Sequence, residues 1–116
     1  MTEIWESGAP PRLLLIESHG RVMRDAGGFR RDAVTQALIG HSVLLFLVQD
    51  GVVLAVPGSD EDLDRFQKGG GVLAADGFSL AQRGLDQTPL RPELRVVAMD
   101  EVAGWILDPA VRVVWH

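Results

Sequence analysis

The sequence predicts one α/β domain built on a parallel sheet of about five strands, with helices on both faces. Two observations carry this expectation. Short apolar runs recur along the chain without polar alternation, the pattern of strands buried on both faces. Between them lie segments with helical apolar spacing, several closed by glycine or proline. Strands that alternate with helices pair in parallel through crossover connections. The length of 116 residues suits one domain and leaves no room for a second.

Residues 1–11 read as an irregular arm broken by Pro10 and Pro11, and residues 12–116 as the domain. Ile4 and Trp5 are apolar residues in that arm that suit packing onto the domain or a neighbour. Residues 12–18, RLLLIES, form the first strand, which the chain leaves through Ser18-His19-Gly20. Residues 25–28 are loop-like. In residues 29–39 the apolar positions 29, 33, 34, 37 and 38 share one helix face, and Gly40 stops that helix.

The second strand spans 42–48, SVLLFLV, and turns at Gln49-Asp50-Gly51. Residues 52–56 either extend the sheet or pack as a short irregular piece over it. A helix follows over 60–68 with Ser59 as N-cap. Asp60, Glu61 and Asp62 favour the positive end of its dipole, and Leu63 and Phe66 form its inner face. Gly69-Gly70-Gly71 ends it. The third strand spans 72–75, and a short helix over 78–83 is closed by Gly84. Pro89 and Pro92 mark a loop before the fourth strand, 94–99. Asp100 caps a short helix carrying Val102, Trp105 and Ile106, which Asp108-Pro109 ends; residues 111–115 are the last strand.

Composition narrows the function. Hydrophobic residues make up 47% and charged residues 23%, enough apolar material for a true core. The net charge of −5 argues against nonspecific nucleic-acid binding, which needs a basic surface, and against docking on anionic lipid. There is no cysteine, which excludes disulfides, thiolate nucleophiles, persulfide carriage and cysteine-ligated zinc on this polypeptide. The acidic, proline-broken start MTEIWESGAPPR does not read as a signal peptide. The apolar run 43–48 is far too short to span a membrane, so the expected location is the cytoplasm.

Two stretches carry a resemblance. In residues 36–52, QALIGHSVLLFLVQDGV, a helix ends in glycine and a strand runs into a Gln-Asp-Gly-Val corner. In residues 75–85, ADGFSLAQRGL, a strand turns into a short helix ending in Arg-Gly. The chain thereby resembles the DsrE/DsrF/DsrH-like family, which includes the subunits of the Tus sulfur-relay complex. The resemblance extends over residues 12–115. It implies a three-layer α/β/α sandwich, a sulfurtransferase or sulfur-carrier ancestry, and assembly as trimers or hexamers. It puts the relay cysteine at Asp76. A carboxylate cannot carry a persulfide, because transfer needs a thiolate that attacks and leaves. The implied role is then a non-catalytic oligomeric or partner-binding subunit. It would act as a homo-oligomer or in a hetero-complex with a cysteine-bearing subunit.

Ligands of open α/β sheets gather at the carboxyl ends of the strands. The polar residues expected there are Ser18 and His19, Gln49 and Asp50, Asp76 and Ser79, and Asp100 beside Met99. They define the alternative function, a small-ligand-binding protein or small enzyme using that pocket. His19 suits a general base or an anion contact, or is an ordinary loop histidine. Asp76 either orients His19 or caps the helix that follows it. Ser18 or Ser79 with His19 and Asp76 has the residue types of a hydrolase, but no G-x-S-x-G elbow occurs.

A metal set of His19, Asp50 and Asp76 has no supporting motif. The histidines at 19, 41 and 116 lack ligand spacing, so no metal and no cofactor are expected. Gly69-Gly70-Gly71 follows a helix and is not a phosphate loop, and Gly27-Gly28 either binds an anion through helix N-terminal N–H groups or is a plain corner. Arg30 and Arg31 either face a partner or an anionic ligand or, with Asp32 beside them, form a solvated helix start. Trp5, Trp105 and Trp115 point either to interfaces or to packing at the sheet edge.

Overall fold

The apolar runs become the five strands of one parallel sheet. The computed structural model describes residues 10–20 and 26–116. The strands are β1 (Leu13–Glu17), β2 (Val43–Leu47), β3 (Val72–Asp76), β4 (Arg95–Val97) and β5 (Arg112–Trp115). Their lateral order is β4-β3-β2-β1-β5, with every neighbouring pair parallel. Every residue of β2 and β3 is buried, which is why these segments lack alternation. The edge strands β4 and β5 are mostly exposed and carry arginines, which suits strands with only one neighbour.

The connections are α1 (Ala26–Leu38), the 3-10 helix η1 (Gln49–Ala55), α2 (Glu61–Lys68), α3 (Gly77–Gln82) and α4 (Met99–Ile106). One face of the sheet presents Leu15, Leu45, Leu47, Leu73 and Ala75. Onto it pack Ala33 and Ala37 of α1, Val52 and Leu54 of η1, Leu63 and Phe66 of α2, and Leu80 of α3. The opposite face presents Leu14, Ile16, Leu44, Phe46 and Ala74, and α4 covers it with Val102, Trp105 and Ile106. The result is the expected three-layer sandwich. Each fully buried leucine or phenylalanine contributes about 1.5–3 kcal/mol of transfer free energy, so the two apolar faces drive the layering.

Several local expectations are corrected. Of the two readings of residues 52–56, the extension of the sheet is not seen and the piece packed over it is: residues 49–55 coil into η1, beginning with Gln49 in the left-handed region at φ 52°. The N-cap of α2 is Asp60 rather than Ser59; the Asp60 carboxylate accepts from the Leu63 N–H at 3.1 Å. Ser59 instead donates its hydroxyl to the Leu54 carbonyl at 3.2 Å, closing the turn before the helix.

Asp100 does not cap α4 either. The cap is Ala98, whose N–H donates to the Glu101 carboxylate at 3.4 Å, and Asp100 sits exposed in the first turn. Helix α1 begins at Ala26, so Gly27 and Gly28 belong to its first turn rather than to a corner. Its glycine stop holds: Gly40 has φ 88°, a conformation that costs glycine nothing. Trp105 is half-buried against the core and Trp115 is 56% exposed, while Trp5 and most of the N-terminal arm lie outside the described residues. No described helix is long and apolar enough to cross a membrane.

Candidate functional site

The polar residues at the carboxyl ends of the strands fall into two groups, not one ring. The first lies beyond β2 and β3. Asp76 ends β3 and caps α3: its Oδ2 accepts from the Ser79 N–H at 3.1 Å and from the Ser79 hydroxyl at 2.7 Å. The Ser79 Oγ in turn accepts from the Gln49 N–H at 2.9 Å. That bond holds the positive-φ corner at Gln49 against α3. Asp76 and Ser79 are both buried, and Asp76 Oδ2 and the Ser79 hydroxyl are engaged with each other and with backbone N–H groups. Asp50 is exposed and receives the Arg83 guanidinium, with Nη2 at 2.8 Å and Nε at 3.2 Å. This group is a structural knot that ties η1 to α3. No histidine contributes to it, so a Ser79-His19-Asp76 arrangement is not assembled.

The second group lies beyond β1 and β5 and is built on Glu17. Leu13, Leu15 and Glu17 alternate onto the face covered by α1, and Glu17 is 0% exposed. The register pairs Ile16 with Trp115, so the next residues, Glu17 and His116, become neighbours on that face. The ladder continues past the strands: the His116 N–H donates to the Ile16 carbonyl and the Ser18 N–H to the His116 carbonyl, each at 2.8 Å. The Ser18 hydroxyl also donates to the His116 carbonyl at 2.8 Å, which makes Ser18 a pin for that strand end.

Both oxygens of Glu17 are used. Oε1 accepts from Arg30 Nη1 at 3.0 Å. Oε2 lies 2.8 Å from His116 Nδ1 and 3.7 Å from His19 Nδ1, and accepts from the His19 N–H at 3.3 Å. Arg30 is therefore buried, contrary to the expected solvated helix start; Arg31 beside it is exposed. Arg30 Nε stands 2.7 Å from Asp60 Oδ2, an ion pair whose N–H is turned out of hydrogen-bond alignment. Asp60 thus serves twice, as the N-cap of α2 and as a second counter-charge for Arg30. The Phe29 ring stacks on His116 at 4.8 Å, and the His19 and His116 rings meet edge to face at 4.7 Å. Glycine is required where η1 closes over this strand end, because a Cβ on Gly51 would sit 2.2 Å from the Glu17 carbonyl oxygen.

Of the residues anticipated from the sequence, His19 and Ser18 belong to this second group, and Gln49, Asp50, Asp76 and Ser79 to the first. Asp100 joins neither. Sequence reasoning missed Glu17, Arg30, Asp60 and His116. Glu17 did carry a signal: it is a carboxylate closing a strand that is otherwise apolar on both faces, and such a charge needs partners. His116 carried none, since it stands 99 residues from Glu17 in the chain. Beside the group, a groove of about 560 Å³ runs between α1 and β5, lined by Phe29, Leu15, Val114, Asp32 and Arg112 among others.

Two solved structures share this architecture. The YchN protein from E. coli superposes with a TM-score of 0.80 at 16% sequence identity, over 91% of this chain and 99% of that one. The protein of unknown function MTH1491 from Methanobacterium thermoautotrophicum gives a TM-score of 0.66 at 15% identity, over 90% of this chain and 96% of that one. The fold is DsrE-like. At these identities the likeness establishes the fold alone. No family model matches the chain, and no curated protein matches it in sequence.

Proposed function

We propose that this chain is a self-associating subunit of DsrE-like fold that carries no sulfur itself and works by binding protein, first of all its own copies. The observation that carries the reading is the surface around Asp76. Phe78, in the first turn of α3, is 70% exposed, and Val96 on the edge strand β4 is 50% exposed. Gly77, next to Phe78 in the chain, lies against that strand, since a Cβ on it would stand 3.2 Å from Val96 Cγ1. Met99, 42% exposed, follows at the start of α4. Large apolar side chains gathered beside an open sheet edge are a surface that association covers.

The chemistry of the site supports the same reading. The chain has no thiol, and Asp76, at the position the resemblance assigns to the relay cysteine, is engaged as a helix cap. A small domain gains stability from closed symmetric assembly, and three or six copies is what the resemblance implies. The alternative, a ligand pocket at Gln49, Asp50, Asp76 and Ser79, has less support, because Asp76 Oδ2 and the Ser79 hydroxyl are engaged within the protein.

Native mass spectrometry and light scattering test the proposal. The expected mass is three or six times the 12.6 kDa chain, and Phe78→Glu is expected to shift it to monomer while the fold survives. A wild-type chain that stays monomeric at micromolar concentration overturns self-association. In that case, capture of a cysteine-bearing chain would instead support a hetero-complex.

A further inference from the structure

We infer that Glu17, His19 and His116 form a binding site for a divalent transition-metal ion, with zinc the best fit. One ligand atom from each of the three residues lies within 4.8 Å of the other two. Zinc binds imidazole nitrogen and carboxylate oxygen at about 2.0–2.2 Å, so the ligand atoms of a tetrahedral site stand roughly 3.3 Å apart. The separations from Glu17 Oε2, 2.8 Å to His116 Nδ1 and 3.7 Å to His19 Nδ1, bracket that value. The widest spacing in the set, up to 4.8 Å, exceeds that value, so side-chain rotations of about an ångström or more would close the three ligands on an ion.

A second observation points the same way. His19 Nδ1 is itself buried, in a side chain 38% exposed, and has no hydrogen-bond partner among the described residues, although it faces the Glu17 carboxylate. A buried polar atom without a partner is costly and is rarely tolerated. An ion between the three residues would satisfy it.

The surroundings are those of a metal site. Arg30 binds the other oxygen of Glu17 and orients the carboxylate, as outer partners of metal ligands do. Phe29 stacks on His116 and limits the rotation of its ring. The charges also allow a cation: with neutral imidazoles, Glu17, Arg30 and Asp60 together carry one net negative charge. Two imidazoles and one carboxylate favour zinc, cobalt or nickel over magnesium or calcium, which prefer oxygen. Three protein ligands also leave a fourth position for water or another ligand. The side chains come from two parallel strand ends, so the backbone ladder holds them in place.

The site does not depend on self-association, and the two are tested separately. Untagged protein is stripped with a chelator and titrated with Zn²⁺ by calorimetry and with Co²⁺ by visible absorption. One equivalent per chain is expected, with a rise in melting temperature and no response to Mg²⁺. His19→Ala leaves the Glu17–Arg30 pair intact and is expected to weaken Zn²⁺ binding by about tenfold or more, while the metal-free melting temperature stays near wild type. His41→Ala, on the exposed turn before β2, should change nothing. Absence of binding at millimolar Zn²⁺ overturns the inference. So does binding that survives His19→Ala, or that His41→Ala removes. Light scattering on the same samples reads the oligomeric state, so a failed metal site leaves the proposed function standing or falling on its own result.

Discussion

Glu17 is the residue on which the carboxyl end of the sheet depends. A fully buried carboxylate is tolerated only when paired and hydrogen-bonded, and Arg30 supplies both. Arg30 also faces Asp60, so one guanidinium compensates two acids. Replacing Arg30 by methionine keeps most of the side-chain volume and removes the counter-charge that Glu17 and Asp60 share, leaving Glu17 the His19 N–H and Asp60 the Leu63 N–H. The expected loss is about 3–5 kcal/mol in urea unfolding, the usual cost of breaking a buried pair. Arg65 provides the contrast: it reaches Glu61 and Asp62 from an exposed position, where such pairs contribute roughly 0–1 kcal/mol. If Arg30→Met costs no more than an exposed pair, the two acids are being neutralised in some other way and the charge assignment at this site is wrong.

At the scale of elements, capping side chains decide where helices begin. Helix α3 has six residues and would not persist alone. The Asp76 cap and the Ser79 bridge to Gln49 hold it against η1. Asp76→Ala should therefore cost about 1 kcal/mol and speed hydrogen exchange in α3, while Asp76→Asn, which can still accept from N–H groups, should stay close to wild type. A neutral alanine variant would contradict the capping role. The long connection from α3 to β4 is held in a similar way. Arg91 is buried and donates to the Leu54 carbonyl at 2.7 Å and the Asp60 carbonyl at 2.9 Å, and pairs with Asp64. A loop without regular structure is thereby clipped to η1 and α2 through satisfied backbone carbonyls.

Across the whole molecule, the order β4-β3-β2-β1-β5 sets a gradient of protection. β2 is central, paired on both sides and covered on both faces, so its amides should open only with global unfolding. β4 and β5 pair on one side and are largely exposed. Native-state hydrogen exchange should find residues 44–47 slowest, with the edge strands fastest in the free chain. If β4 is as protected as β2 in the oligomer, and loses that protection in Phe78→Glu, the interface lies at that edge. Equal exchange in both proteins would move the interface elsewhere.

What could be read from the residues alone follows from local physics. Apolar runs without alternation predicted buried parallel strands, and the spacing of apolar residues between them predicted helices. Asp76 was legible as a cap because an acid two residues before an apolar helix start has an N–H group to receive. Cap identity at Ser59 and Asp100 was misread by a residue or two, because neighbouring acids and serines compete for the same free N–H groups. The absence of cysteine excluded thiol chemistry outright, since no other side chain offers a thiolate. Only the tertiary structure decided the site. Strand register placed His116 beside Glu17 across nearly the whole chain, and the packing of α1 on α2 brought Arg30 to Glu17 and Asp60. Such contacts join residues with no local signature, since they arise from which strands lie side by side and not from any spacing along the chain.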